Sequence, residues 1–475
     1  MELFRDAKPS PAGNRIKSER GWKTVSWKKI MAPFDMYELS RARAWLMGVA
    51  TLLVTFYHSQ YLDLFSSSFL TQTRLLSLVT RVHKTGNSGV DLFVLLSGFG
   101  LFFSYARLKE KQAHPARAFY QRRYGKVLPT VLTVTVLTYG LLGTDSVSDW
   151  FGKVLLYGTY LPGRAGGNFW YFSCLMGLYL IYPLVHRIIQ GKHGLGGAAA
   201  LAAVSVGVAM ILRAVCPDYY YGRADLMLTR FPAFVAGAYL GKMSLQHRKI
   251  PALIPAAAAP LSVILLVLVA DSPDSFYDYR FYTYCLLVLS MALSHAWILS
   301  KIPGRHFLFR SVCMIGSFSM EIYLIYETVY YHSQAVLNTP DPAGLIYAGS
   351  VFAITLLLAA LLRMTMDKIA GVYAAGRKAR RFILWSILLF LEELSLRDWR
   401  SFSHAAVVAF AAPALTGEHL LGTFLILGKL HMFLDGKRLG HLLHIKIVGT
   451  NQREGPVLFL QLLDKGTYHL QRPFL

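Results

Sequence analysis

The sequence predicts an all-α integral membrane protein, a bundle of about ten transmembrane helices. Three observations carry that expectation: an apolar composition, a series of long apolar runs, and positive charge that recurs at every second connection. Of 475 residues 54% are apolar and only 16% are charged, with a mean hydropathy of +0.41. Such a balance suits hydrocarbon better than water.

Runs near the ~20 residues needed to cross a bilayer core fall at 44–64, 88–107, 127–143, 169–189, 195–214, 227–245, 251–270, 279–299, 311–333 and 344–366. Each is expected to be helical, because backbone facing lipid must satisfy its own hydrogen bonds. An outer-membrane barrel would show ~10-residue segments of alternating polarity, which these unbroken runs do not. Residues 1–42 are polar and basic and read as a cytoplasmic tail, and the first apolar run is too long for a cleavable leader. The expected organisation is that tail, a membrane domain at 43–370, and a basic linker with a C-terminal extension of unassigned fold at 371–475, opening on "AAGRKARRF".

The net charge of +23 is not that of a nucleic-acid-binding protein. Lysines and arginines gather before the first run, between the second and third (Arg107, Lys109, Lys111, Arg117, Arg122, Arg123, Lys126), and after the fourth, sixth, eighth and tenth. That alternation is the positive-inside rule, and it sets both ends of the unit in the cytoplasm of a cell-membrane protein. A nucleic-acid patch has no need to alternate with apolar spans. Cys174, Cys216, Cys285 and Cys313 show no zinc or disulfide spacing and read as small buried hydrophobes. His441 and His444 lack the further ligands of a metal set, so no metal is expected.

Ionisable groups inside spans are expensive and count as functional candidates. His58 falls ~9 Å below the outer surface at 1.5 Å per residue. By depth, Asp91, Glu327 and Trp170 converge on the same outer third. A neutral imidazole there suits a general base acting on a hydroxyl, its tautomer set by a neighbouring carboxylate. The bland alternatives are a histidine satisfied within its helix and an aspartate capping a helix start. The stretch "FYQRRYGKVLP" sets Arg122, Arg123 and Lys126 on one helical turn. Such a group fits phosphates, and equally fits a topology signal beside lipid head groups.

Several stretches, in order across residues 43–366, resemble the membrane-bound acyltransferase family three, ten-span enzymes that O-acylate glycans and other extracytoplasmic acceptors. They are "MGVATLLVTFYHS", "GNSGVDLFVLLSGFGLFF", "FYQRRYGKVLPT", "FWYFSCLMGLYLIYPL" and "GSFSMEIYLIYE". The resemblance implies that His58, with Asp91, is catalytic. It assigns the phosphates of acyl-coenzyme A, most simply acetyl-coenzyme A as co-substrate, to Arg122, Arg123 and Lys126. It places Trp170, Tyr179, Tyr326 and Glu327 at a pocket for a glycan or lipid-linked sugar. The chain departs from the family at Met47, where many members carry Arg, at Lys126 for the second Arg of a pair, at Tyr326 for a late His, and at Leu175 and Met176 for span-four carboxylates. The rival expectations are a glycan exporter and an inactive scaffold of the same fold.

Overall fold

The computed structural model describes residues 31–58, 74–142, 147–156, 158–160, 169–272, 277–302, 307–337, 344–375, 444–446 and 459–461. The chain divides into two compact units, Met1–Gly371 and Val372–Leu475. Of the second, the described residues are 372–375, the end of a helix that begins in the first unit, and an antiparallel strand pair, His444–Lys446 with Phe459–Gln461. His444 begins the first of these strands, and His441 lies outside the described residues.

The first unit is helical. Its principal helices are α1 (Tyr37–His58), α2 (Arg74–Thr85), α3 (Ser88–Lys111), α4 (Pro115–Leu142), α5 (Val147–Val154), α6 (Trp170–Gln190), α7 (Gly194–Val215), α8 (Phe231–Leu245), α9 (Leu253–Ala270), α10 (Tyr277–Lys301), α11 (Phe307–Ser317), α12 (Ser319–Leu337) and α13 (Gly344–Ala375). Large apolar side chains lie exposed on α7 and α9, among them Leu195, Met210, Ile211, Leu253 and Leu268. Faces of that kind belong against lipid rather than water. The protein is therefore a multi-pass membrane protein.

Among the described residues six helices are long and apolar enough to cross a membrane, and α11 with α12 adds a bent pair, angled by 68°. The expected ten runs reach that test unevenly, for reasons that lie in the helices. α1 starts earlier than its apolar run and carries Glu38, Arg41 and Arg43. α4 starts at Pro115 and takes Arg117, Arg122, Arg123 and Lys126 into its first half. α8 has 15 residues, because inside the run at 227–245 a short helical segment ends at Leu228 and the helix restarts at Phe231, with Pro232 at its start.

The core is organised around α3, whose buried positions run along most of its length. It packs against α8 where side chains are missing. A Cβ at Gly98 would overlap the Phe234 carbonyl, one at Gly237 the Leu95 carbonyl, and one at Gly241 would crowd Phe99 and Phe102. Gly237 and Gly241 form a small-xxx-small pair, the pattern that lets membrane helices approach backbone to backbone. α1 and α11 use the same device at Gly48 and Gly316. A short clip fixes the start of α1: strand Phe34–Asp35 pairs with Lys249–Ile250, Asp35 Oδ1 accepts from the Tyr37 amide at 2.8 Å, and Tyr37 stacks on His247 at 4.6 Å.

Gly237→Val is expected to cost about 1–3 kcal/mol or more through overpacking, read as a lowered thermal midpoint in detergent. Gly207→Ala, with nothing near its Cβ position, should hold or raise the midpoint, since Ala is the better helix former.

Candidate functional site

Helix directions decide which polar groups share a level. α1 and α3 are antiparallel, with Gly89 against Ala50 and Val54 and Gly86 against Tyr57. α8 runs parallel to α3. The C-terminus of α1 and the N-termini of α3, α6 and α8 thus gather at one end, marked by His58, and Arg43 marks the other. The two residues are fifteen positions apart, or ~22 Å along the helix.

At the His58 end, the imidazole packs on the Tyr326 ring with centroids 5.1 Å apart and edge-on to Tyr57 at 5.2 Å. Tyr326 is buried and continues an aromatic wall through Tyr323, 5.7 Å away, to Tyr171, 5.2 Å further on. The Tyr that stands where the family has a late His is thus in contact with His58. Glu327 lies on α12, and its side chain lies outside the described ones.

Asp91 is fully buried. It neither caps α3, whose N-cap is Asn87, nor meets His58; its ionic partner is Arg230, with Nε 3.9 Å from Oδ1. The Arg230 guanidinium carbon lies 4.7 Å from the Trp170 ring and 4.6 Å from the Phe281 ring. Trp170 therefore enters the site as one side of a cation–π sandwich.

A second polar group forms toward the Arg43 end. Arg123 and Lys126 are on α4, and Lys126 lies in the field of Arg123, Arg363, Arg43 and Glu321. Arg43 reaches across α3 where Gly100 has no side chain and lies in the field of Arg123 and Tyr179. It sits one turn before Met47 on the same face of α1, offering a cation where the family's arginine is missing. Arg122 is exposed.

Arg363 ties the break between α11 and α12. Its Nη1 donates to the Ser317 carbonyl at 3.0 Å and to Glu321 Oε1 at 3.1 Å. A cation is thus set on the carbonyls that end one half-helix and on the carboxylate in the first turn of the next, both favourable placements for helix dipoles. Tyr179 is nine residues, ~13 Å, along α6 from Trp170, and it packs near Tyr124 and Phe119. It belongs with the cations, apart from Trp170 and Tyr326.

Arg230, Arg363 and Glu321 were missed as site residues by the sequence reading, although each lies inside an apolar run. The expense of an intramembrane charge, which singled out His58, marks them equally.

Together these features define a multi-pass helical membrane protein with a histidine at one end of its bundle and a cation cluster toward the other. A family model described as an acyltransferase domain matches residues 44–364, more than half of the chain. The chain belongs to that family. It is 34% identical over 132 residues to "Acyltransferase MdmB" of Streptomyces mycarofaciens, covering 25% of this chain and 32% of that relative. The chain thus spans about a third of the length of the curated relative it matches. No solved structure matches.

Arg363→Ala leaves the Glu321 carboxylate, 4% exposed, without its partner, and is expected to lower stability by about 1–3 kcal/mol. Adding Glu321→Gln should return most of that loss in the same thermal measurement.

Proposed function

We propose that this protein is a membrane-bound acyltransferase that moves an acyl group, in the first instance acetyl, from cytoplasmic acyl-coenzyme A to a hydroxyl of an extracytoplasmic or lipid-linked glycan. The observation that carries the reading is the placement of His58 and a cluster of cations toward opposite ends of one helix, within a chain of the acyltransferase-domain family. In this reading the N-terminus faces the cytoplasm of a cell membrane and the bundle crosses it about ten times.

Arg123, Lys126, Arg43 and Arg363 supply a positively charged mouth for the donor's phosphates, with Arg122 at its rim. Guanidinium forks bind phosphate oxygens in pairs and Lys126 adds a point charge. The thioester arm of the donor extends from that mouth toward His58. α12 offers a short path, since Glu321 and Tyr326 are five residues, ~7.5 Å, apart along it. His58 accepts the proton of the acceptor hydroxyl as its oxygen attacks the thioester carbonyl. The carbon–sulfur bond then breaks, and the thiolate leaves and recovers the proton. Tyr326 restricts the imidazole by packing, and the enclosed geometry supplies the rest of the advantage through positioning.

The test is transfer of labelled acetyl from acetyl-coenzyme A in membranes, with lipid-linked and polymeric glycan fractions counted separately. His58→Ala should abolish transfer and leave insertion intact; full transfer by that variant removes the mechanism. Arg123→Ala should raise the donor KM by about tenfold or more, the scale of a lost charged hydrogen bond. That effect should shrink with added salt.

A further inference from the structure

The reaction outlined above makes no use of Arg230, the most enclosed cation among the described residues. Its side chain is 2% exposed, that of Asp91 0%. Trp170 and Phe281 flank the guanidinium, and Nη1 donates to the Leu226 carbonyl at 3.2 Å. The gap of 3.9 Å between Nε and Asp91 Oδ1 exceeds a hydrogen bond. Nε and both carboxylate oxygens of Asp91 have no hydrogen-bond partner among the described residues.

Burying an ion pair costs several kcal/mol per ion, and geometry repays it only when the remaining lone pairs and protons are met. Here a donor and an acceptor lie 3.9 Å apart, beyond a direct hydrogen bond, with an aromatic ring on either side of the guanidinium. That distance is the one a single bridging oxygen spans, since two hydrogen bonds of about 2.8 Å meeting near a right angle cover it. The pair is already neutral, so a charged occupant would be uncompensated at this buried position. The occupant must accept from Nε–H and donate to a carboxylate. A hydroxyl does both, whereas a carbonyl only accepts and an ammonium only donates. Of the two flanking rings Trp170 is part-exposed and Phe281 is buried.

We propose that Asp91 and Arg230 form a binding subsite for one neutral hydroxyl of the acyl acceptor, with Arg230 as a specificity-determining residue. The inference rests on the acyl-transfer reading and deepens it. The subsite holds a hydroxyl of the acceptor, while His58 serves the one that is acylated.

The test exchanges the whole pair for apolar residues of similar size, Asp91→Leu with Arg230→Met. Such exchanges of buried ion pairs are often neutral or stabilising, so the variant is expected to insert and to keep its donor KM. Transfer of labelled acetyl to the lipid-linked glycan fraction should fall by about tenfold or more through a raised KM for that fraction. Transfer at the wild-type level by the double variant overturns the subsite, leaving the pair as a structural tie or a resident-water site. Loss of donor and acceptor use together overturns it as well. A readout independent of the reaction is the thermal midpoint of the purified full chain titrated with methyl β-glucoside. The midpoint should rise for the wild type and not for the double variant, and no rise in the wild type overturns the subsite. Absent transfer by the wild type with a midpoint rise confined to it sinks the acyl-transfer reading alone.

Discussion

The close approach of α3 and α8 is the constraint on which the site depends. Gly98, Gly237 and Gly241 remove the side chains that would hold the two backbones apart. In lipid, where apolar contact alone gives helices little reason to associate, such contact is a main source of cohesion. The same approach puts Arg230, just ahead of α8, against Asp91 in the first turn of α3. A wider spacing there would leave two charges in hydrocarbon without each other.

Charge in the bundle follows one economy with two outcomes. Asp91 with Arg230, and Glu321 with Arg363, offset their burial by pairing. Among the described residues Arg43, Arg123 and Lys126 form no such ion pair, since Glu321 already serves Arg363. Their mutual field is positive and favours an anion. The break between α11 and α12 belongs to this arrangement, because it frees the Ser317 carbonyl for Arg363 and turns Glu321 toward the cations.

Much of the fold was legible in the sequence. Apolar runs located the helices, since backbone in lipid has few alternatives to the helix. Their ends were less legible: α1 and α4 continue through charged residues that a hydropathy window excludes, and α8 begins only at Phe231, after a break inside its apolar run. For the site, the cost of an intramembrane charge singled out His58 and Asp91, and the acyltransferase resemblance added Tyr326. It did not pair Asp91 with Arg230, because depth along separate helices says nothing about which faces meet. Tyr179 was expected in one pocket with Trp170, although ~13 Å of rise along α6 separates them.

By itself the sequence determined the solvent, the secondary structure and the residue types that carry charge into the membrane. Those follow from local composition and from the penalty for unsatisfied backbone and exposed charge in hydrocarbon. Only the tertiary structure decided the partners: His58 with Tyr326, Asp91 with Arg230 between two aromatic rings, and Arg43 across Gly100. Helix rotation and spacing set these contacts, and they are fixed by glycines and side chains far apart in the chain, whose interactions no local pattern encodes.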